Sequence, residues 1–514
     1  MSGFWQAWKH RKQTLRDQAW HQRSKKSMDK VPDIPVSPEL EANVTTIQRL
    51  LGSSDDLLSR HFVIGPKENG QKAVLVYFDT LVDKKVIDQF ILEYLASPLD
   101  DRERPAIHTL ESVRGMQKLV EYLLAGMSIL LIEGKTEAIV CGTFHYAKRS
   151  IEEPQSEALI RGSREGFNES LSDGISLIRK RLKDPALRVR LIQVGERTKT
   201  PVNILFIEDL APEDVVREIT NRIKGIQIDG ILESGYIEQM IQDNTWSPFP
   251  QIQATERPDK VVAHLLEGKV AILTEGTPFA LIAPAIFTQF YQSAEDYYER
   301  FLISSMIRLI RTISLLVALL LPSLYIAFSS FHPEMIPSRL VIAMSAGRST
   351  VPFPSVVEAF LMEITMEILR EASIRLPGPI GPTIGIVGAL VVGQAAVQAG
   401  LVSPIMVIIV ALTTIGSFAT PSYSAAIAIR MLRFPLMILA GAFGLYGIML
   451  FLIIISIHLS ALKSFGIPYM TPISPVYLKS MRDFIFRAPF FWMKERPEMF
   501  NPPDPSRQNW GGDK

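Results

Sequence analysis

The sequence has very little cysteine: Cys141 is the one cysteine among 514 residues. A single cysteine excludes an intramolecular disulfide framework and metal sites built on CxxC pairs. Cys141 lies in an apolar, strand-like run, so we expect a buried and unreactive thiol. The first 30 residues are basic and lack the apolar core of a secretory signal peptide, so we expect the N-terminal region to stay on the cytosolic side.

Recognisable catalytic motifs are also missing. The sequence contains no phosphate-binding GxxxxGK loop, no HExxH pair and no GxSxG elbow, and its eight histidines are scattered. We interpret the carboxylates at strand ends, Asp79, Glu208 and Asp209, as helix caps rather than as a catalytic site. The sequence therefore predicts a protein that is not an enzyme and needs no metal or cofactor. Its net charge of +1 gives no indication of nucleic-acid binding.

Charge is scarce over long stretches of the C-terminal part. Three blocks, Thr312–Pro333, Leu376–Ile429 and Phe434–Leu462, contain no Asp, Glu, Lys or Arg. A membrane crossing needs about 20 apolar residues, so these blocks predict a polytopic α-helical membrane domain. Four crossings are expected, at about Ile313–Phe331, Thr383–Gly400, Pro404–Thr420 and Pro435–His458.

Arginines beside the crossings set the expected orientation. A helix over 294–311 places Arg300, Arg308 and Arg311 on the cytosolic side, as the positive-inside rule requires. Arg430 and Arg433 separate the last two crossings. With the helix over 355–375 lying at the outer interface, four crossings keep both chain ends in the cytosol.

The region before the crossings alternates apolar strands with amphipathic helices, one of which is expected over 83–95. LLAGMSILLIEGKTEA, from Leu123, aligns without a gap with LLEGKVAILTEGTPFA, from Leu265, and both are typical of a strand hairpin. We interpret the pair as two related α/β subdomains, with chance similarity of two hairpins as the alternative. The fold class is therefore α+β with a membrane domain. The expected order begins with a basic tail and linker over 1–37. An α/β subdomain over 38–150, a charged connector over 151–184 and a second α/β subdomain over 185–300 follow. The chain ends with a helical membrane domain over 301–462 and a basic cytosolic tail over 463–514.

One charge-free segment has an unusual composition for a helix that meets lipid. Gly385, Ala389 and Gly393 recur every four residues, a small-residue pattern that lets helices approach closely. A second face, which we predict to line a pore, carries Val387, Val391, Gln394 and Gln398. Two amides on an apolar helix need a partner helix or water. The alternative is a tightly packed interior helix.

The segment over 355–375 carries a row of carboxylates, with Glu363, Glu367 and Glu371 at four-residue steps. In a symmetric ring, Glu363 and Glu367 would each form a ring of carboxylates near the pore mouth, which attracts cations. The alternative is an interfacial helix in which Glu371 pairs with Arg375.

The charged connector contains two glycine-centred turns. We predict that Arg161, Glu165 and Phe167 contribute to a contact between subunits, with a solvated connector as the alternative. Few crossings per chain and a small-residue helix favour an oligomeric channel over a secondary transporter, which usually shows long internal repeats. A solute transporter and a membrane scaffold remain open.

Three long stretches resemble one family: RSIEEPQSEALIRGSREGFNESL, PFPSVVEAFLMEITMEILREASIRLP and IGIVGALVVGQAAVQAGLVSPIMVIIVALTTIGSFATP. They are similar to the A subunits of the GerA-type spore germination receptors, and the resemblance covers about residues 50–490. It implies a multi-pass protein of the spore inner membrane, with its N-terminal domain on the cytosolic, spore-core side.

The resemblance also implies partners and an activity. The expected partners are a transporter-like B subunit that binds the nutrient, a lipoprotein C subunit, membrane lipid and further copies of the same chain. The implied assembly is a pentameric, nutrient-gated channel that releases monovalent cations and so starts germination. No nucleic acid is implied.

Overall fold

The computed structural model of the chain describes residues 28, 31–52, 54–64, 70–88, 110–144, 153–375 and 380–508, and it describes residues 380–386 by their backbone alone. The predicted basic tail, apart from Met28, and most of the helix expected over 83–95 lie outside the described residues. The described chain forms two five-stranded sheets, a bundle of helices and an irregular tail.

The first sheet is antiparallel throughout. Its strands are β1 Leu57–Ile64, β2 Gln71–Phe78, β3 Leu110–Val113, β4 Ser128–Ile132 and β5 Ala138–Cys141. They lie side by side in the order β1-β2-β4-β5-β3. Helices α1 (Leu40–Leu51) and α2 (Met116–Leu124) pack on the sheet through a shared core that includes Ile47, Leu119 and Leu123.

The second sheet repeats this arrangement. Its strands are β6 Leu187–Val194, β7 Thr200–Ile207, β8 Gln253–Thr255, β9 Val270–Thr274 and β10 Ala280–Ala283. Their order, β6-β7-β9-β10-β8, is the order of the first sheet with each number raised by five. The helices of this subdomain are α3 Leu171–Arg181, α4 Glu213–Lys224, α5 Ser234–Ile241 and α6 Pro258–Leu265. The chain thus contains the two related α/β subdomains that the repeated hairpin predicts.

Two pairs of glycines explain why the repeated segments fold alike. Gly126 and Gly268 precede the hairpins with φ near +87°, and Gly134 and Gly276 make the turns with φ of +79° and +84°. Residues with a Cβ rarely adopt these angles, so glycine is needed at equivalent points of both segments. Cys141 is buried in β5, as expected, and burial raises the pKa of its thiol to about 11.

The two subdomains are joined by a buried ion pair. The Arg179 guanidinium donates to both carboxylate oxygens of Asp56, through Nε at 2.5 Å and Nη2 at 2.7 Å. Next to this pair, the backbone N–H of Asp55 donates to the Val189 carbonyl at 3.0 Å. Residues 54–56 therefore lie along β6, an edge strand of the second sheet.

The helical region begins with α7 (Glu295–Tyr298), a single turn. The long helices that follow are α8 Phe301–Ser330, α9 Ser338–Arg348, α10 Ser355–Ile374, α11 Ile380–Gln398, α12 Pro404–Phe418 and α13 Tyr423–Ala461. Among the described residues, α8 and α13 are long and apolar enough to cross a membrane, and Val387–Gln398 of α11 and the whole of α12 are shorter apolar helices. The predicted continuous helix over 294–311 is wrong, because the chain breaks at Glu299 and Arg300.

Helix α10 runs along the bundle and does not lie flat at one end of it. We call the end of the bundle beside the soluble subdomains the near end and the opposite end the far end. At the far end, Ser355 bonds to Ser330 at the end of α8. At the near end, Arg370 donates to Ser417 of α12, whose neighbour Gly416 contacts Ser314 of α8. The helix expected at the outer interface is therefore part of the bundle.

Helix α13 folds back on itself at Gly444, which has φ +60° and ψ −138°. Ala428 and Leu459 pack in one apolar cluster with Phe249 and Tyr469. A straight helix would hold those two residues about 47 Å apart. The segment therefore forms two antiparallel halves, and Gly444 lies at the far end against Phe331. Arg430 and Arg433, expected between two crossings, lie inside the first half.

The tail after α13 returns to the soluble region. A short hairpin of β11 (Lys463–Ser464) and β12 (Ile467–Pro468) leads to Tyr469, which is buried against Phe249 and Phe290. Farther along, Asp483 accepts a hydrogen bond at 2.7 Å from Arg308 of α8. Arg308 also bonds to Asp296 at 2.9 Å and is fully buried, so the tail helps to hold the start of the first long helix.

Candidate functional site

The bundle contains a row of buried charges between its helices, which we call the polar seam. Its carboxylates are Glu358, Glu363 and Glu367 of α10, and its cations are Arg348, Arg370, Arg430 and Arg433. A charge inside an apolar bundle is costly unless it is paired and hydrogen-bonded. The pairing of each carboxylate therefore determines what the seam can do.

Glu358 occupies the far part of the seam and is fully buried. It accepts a hydrogen bond from Arg348 Nε at 3.1 Å and two more from Ser403, through its N–H at 3.1 Å and its hydroxyl at 2.9 Å. Tyr325 of α8 in turn lies 3.1 Å from the Ser403 hydroxyl. One carboxylate thus ties α8, α9, α10 and the start of α12 together.

Glu363 lies deeper and forms an ion pair with Arg433 of α13, and the side chains of both are 3% exposed. The Nε of Arg433 also donates to the Ala318 carbonyl of α8 at 2.8 Å. Glu363 Oε1 and Arg433 Nη2 are buried without a hydrogen-bond partner among the described residues. Buried polar atoms without a protein partner usually bind ordered water.

Glu367 is at the near part of the seam and is less buried, with 41% of its side chain exposed. Two arginines approach it, Arg370 at 3.3 Å and Arg430 at 3.2 Å. Around Glu363 and Glu367 three arginines therefore face two carboxylates. The cation-attracting ring of Glu363 and Glu367 stays a prediction; within one chain, Glu363 faces Arg433 and not the outside of the bundle. The alternative pairing of Glu371 with Arg375 is present, on the exposed side of α10.

The predicted pore-lining residues of α11 share one outer face. Val387, Val391, Gln394 and Gln398 are all exposed, and the exposed fractions of the two valines are 52% and 56%. No described element of the same chain covers this face. It is available to lipid, to a neighbouring copy of the chain or to water.

The opposite side of α11 packs closely against its neighbours through glycine. A Cβ added at Gly393 would lie 3.2 Å from Val407 of α12, and one at Gly388 would lie 3.1 Å from Leu369 of α10. Gly393 is one of the predicted packing residues and Ala389, a second, is half-buried. The side-chain surroundings of Gly385 lie outside the described residues. Gly388 was missed, because the four-residue spacing does not include it.

The three connector residues predicted at a subunit contact lie in different surroundings. Arg161 is exposed and lies 3.5 Å from Glu299, so it is available to a partner. Glu165 pairs with Lys180 at 2.8 Å and with Arg181. Phe167 is buried in the core between α3 and the second sheet, which explains its apolar character without a partner subunit.

The sequence indicated only some of the residues of the polar seam. The glutamates stood out because they recur along one apolar helix, but Arg430 and Arg433 were interpreted as a boundary between crossings. Their partners are about 70 residues away, and helical spacing relates only residues within a turn or two of each other. Glu358 was missed because it lies five residues before Glu363, off the four-residue row. Among the described residues, no group of three or more His, Cys, Asp or Glu is placed to hold a metal ion.

Comparisons with a family model and with individual known proteins agree with each other. Residues 45–499 match the model of the family described as "Bacillus/Clostridium GerA spore germination protein". The chain is 43% identical over 490 residues to spore germination protein KA of Bacillus subtilis, covering 93% of this chain and 90% of that one. It is 44% identical over 485 residues to the uncharacterized membrane protein YfkQ of the same organism, covering 93% and 94%.

A solved structure also matches. It is the crystal structure of the N-terminal domain of the A subunit of the Bacillus megaterium spore germinant receptor GerK3. The match has a TM-score of 0.39 and 33% sequence identity, and it covers 50% of this chain and all of that domain.

Proposed function

This chain belongs to the GerA family of Bacillus/Clostridium spore germination proteins, and from that premise we propose that it is the A subunit of a nutrient germinant receptor in the spore inner membrane. In this proposal several copies, most simply five, surround a shared axis and form a channel for monovalent cations. A transporter-like B subunit binds the nutrient and a lipoprotein C subunit completes the receptor. Opening the channel releases cations and starts germination.

One observation carries the channel proposal: the outer face of α11 is both uncovered and partly polar. Gly388 and Gly393 hold the other side of the helix against α10 and α12, so α11 has a fixed orientation. Gln394 and Gln398 then point away from the chain, where lipid would leave their amides without hydrogen-bond partners. A water-filled axis between copies satisfies them. Val387 and Val391 on the same face form an apolar collar, which can gate a pore by excluding water.

The arrangement of the bundle supports a membrane-spanning assembly with both ends on one side. Helices α8, α10, α11 and α12 and the two halves of α13 alternate in direction between the near and far ends. We propose that these six segments cross the bilayer. The even number returns the tail to the side of the soluble subdomains, where Asp483 meets Arg308. The proposed topology replaces the expected four crossings.

The test is potassium efflux from proteoliposomes that contain the purified chain. Val387→Ala and Val391→Ala shorten the collar by two methyl groups each, so water enters more readily and efflux without nutrient should rise about tenfold or more. Val357→Ala is the matched control, since Val357 is an exposed valine of α10 outside the proposed collar, and its efflux should equal that of the unaltered chain.

Two results would count against the channel. Equal potassium efflux from all three variants and the unaltered chain would mean that the outer face of α11 packs against protein and does not line a pore. Saturable solute uptake without ion current would indicate a transporter instead.

A further inference from the structure

A cavity of about 670 Å³ lies where the second subdomain, the link into α8 and the C-terminal tail meet. Its walls come from α6, from residues 286–298 and from residues 472–507. No residue of the polar seam or of the α11 outer face lines it. The cavity is therefore separate from the proposed channel, and no part of the proposed function requires it.

Cations outnumber carboxylates in the walls of this cavity. Three of the cations are neutralised: Lys260 pairs with Glu157 at 2.6 Å, Lys479 with Glu495 at 2.7 Å and Arg496 with Asp504 at 3.4 Å. The other three are Arg482, Lys494 and Arg507.

None of these three cations forms an ion pair with a carboxylate in the described part of the chain, and Arg507 lies close enough to Glu267, which also lines the cavity, for their charges to attract each other. Arg482 donates a hydrogen bond to the Trp492 carbonyl at 3.3 Å, which leaves its charge uncompensated. Lys494 and Arg507 are exposed at the cavity wall. Three cations without an ion-pair partner beside one cavity form a site to which an anionic group is attracted, and arginine is well suited to phosphate because it donates two parallel hydrogen bonds.

The same cavity carries exposed aromatic rings. Phe490, Phe491 and Trp492 are consecutive, line the cavity and are 47%, 39% and 58% exposed. The rings of Phe491 and Trp492 meet edge to face, with centroids 5.9 Å apart, so they form a continuous apolar wall. Large apolar side chains grouped at a surface usually mark a binding site. A ligand for this cavity therefore needs an apolar or flat part as well as an anionic group.

The floor of the cavity is the anchor of the first long helix. Tyr297 lines the cavity, and its hydroxyl donates to Asp483 at 2.6 Å. The other oxygen of that carboxylate accepts from Arg308 of α8 at 2.7 Å. A bound ligand would thus contact the group that links the soluble subdomain, the tail and α8. Binding at this position would therefore affect the helical bundle.

We propose that this cavity binds an organic phosphate. Arg482, Lys494 and Arg507 hold the phosphate, and Phe490, Phe491 and Trp492 hold the apolar part attached to it. Two kinds of molecule share this chemistry: the headgroup of an anionic phospholipid and a soluble nucleotide. The first would reach the cavity from the leaflet that α8 enters, and the second from the solution around the soluble subdomains.

The experiment uses the purified full chain and has two arms. In the first, adenosine triphosphate is titrated into the detergent-solubilised protein by calorimetry. In the second, the protein is placed in nanodiscs of dioleoylphosphatidylcholine with or without dioleoylphosphatidylglycerol, and retained lipid is counted by native mass spectrometry. The test variant is Arg482→Gln with Lys494→Gln and Arg507→Gln. The control removes the same charge at exposed lysines elsewhere, as Lys135→Gln with Lys183→Gln and Lys224→Gln.

The expected result is saturable binding in at least one arm that the test variant weakens about tenfold or more and the control leaves within about twofold. Binding of phosphatidylglycerol alone assigns the site to the membrane, and binding of adenosine triphosphate alone assigns it to the solution. Absence of saturable binding in both arms overturns the proposal, and so does an equal loss in test and control variants.

A second variant keeps the proposal testable if the triple variant does not fold. Trp492→Leu leaves every charge in place and removes the largest exposed ring, so we expect binding to weaken about fivefold. Unchanged binding in Trp492→Leu, together with a triple variant that does not fold, would overturn the proposed aromatic wall. Potassium efflux is a separate measurement, so failure of this proposal and failure of the channel are distinguishable.

Discussion

Glu363 and Arg433 place opposite charges at the centre of the helical bundle, where each would be costly alone. Removing two ions from water is expensive, and their mutual attraction offsets this only when the geometry is good. Here Arg433 also donates to the Ala318 carbonyl at 2.8 Å, which fixes the guanidinium between three helices. The pair therefore determines how α8, α10 and α13 fit together more than it adds net stability.

Replacing one member of this pair should be severe. Glu363→Gln leaves the Arg433 charge buried and uncompensated, and we expect a loss of about 3–5 kcal/mol in the free energy of unfolding. The measurement is thermal unfolding in detergent, followed by tryptophan fluorescence. Glu371→Gln is the control on the same helix: its pair with Arg375 is exposed, so about 0–1 kcal/mol is expected. Equal melting temperatures for the two variants would contradict the role given to the buried pair.

Glu238 of α5 gives the soluble region a dependence on pH. Burial, together with the nearby charge of Glu233, raises the pKa of its carboxyl to about 7. A carboxyl whose pKa is raised on folding favours the folded state while it is protonated. Its contribution is fully present below the unfolded pKa, near 4.5, and is lost as the pH rises through about 7.

We expect the melting temperature of the unaltered chain, measured relative to that of Glu238→Gln, which cannot ionise, to fall between pH 5 and pH 8. Melting curves at the two pH values test this. Glu233→Gln is an unsuitable control because Glu233 caps α5. Glu218→Gln on α4 is exposed and serves instead. If the melting temperature changes with pH equally in Glu238→Gln and in the unaltered chain, the pH dependence belongs to other groups.

At the scale of single elements, the hairpins were predictable and the fold-back was not. The β4–β5 and β9–β10 hairpins each consist of two apolar runs around a glycine turn, so the signal is local. Gly444 lies in an apolar run in which glycine is common and no charge marks the reversal. What makes it a turn is the packing of Phe331 and the return of α13 toward Phe249, contacts with residues more than 100 positions away.

The fold-back of α13 predicts that both ends of this helix lie on the same side of the membrane, and cysteine labelling tests this. With Cys141 replaced by alanine, single cysteines at Ser424 and Ser460, which are both exposed, should react with a membrane-impermeant thiol reagent from the same side. A cysteine at Tyr446, which is exposed next to the turn, should react from the opposite side. Labelling of right-side-out and inside-out vesicles measures this. Reaction of positions 424 and 460 from opposite sides would mean that α13 crosses once.

At the scale of the whole molecule, a buried arginine is the centre of the junction between the two soluble subdomains, which backbone and Arg188 hydrogen bonds also cross. Arg179 and Asp56 are 2% and 5% exposed, and the guanidinium also lies 4.1 Å from the centre of the Phe78 ring. No sequence pattern connects positions 123 residues apart, so this junction is visible only in the folded chain. The repeat predicted that there are two subdomains but not how they meet.

Asp56→Asn should loosen this junction. It leaves the Arg179 charge buried, with an expected cost of about 3–5 kcal/mol, and exposes the connector to limited proteolysis. The matched control is Asp88→Asn, since Asp88 pairs with Arg60 at the surface, where about half of each side chain is exposed. Proteolysis rates and melting temperatures of the two variants are compared. A cleavage rate in Asp56→Asn as low as in Asp88→Asn would mean that other contacts hold the subdomains.

Arg308 acquires its two counter-ions at very different times during translation. Asp296 is made 12 residues earlier, whereas Asp483 follows 175 residues later. Until the ribosome reaches the tail, the guanidinium at the start of α8 has one carboxylate partner, and the Tyr297 hydroxyl has not yet met its acceptor. Docking of this helix is therefore completed late in biosynthesis, and a premature stop codon before position 483 would release a chain in which it never occurs.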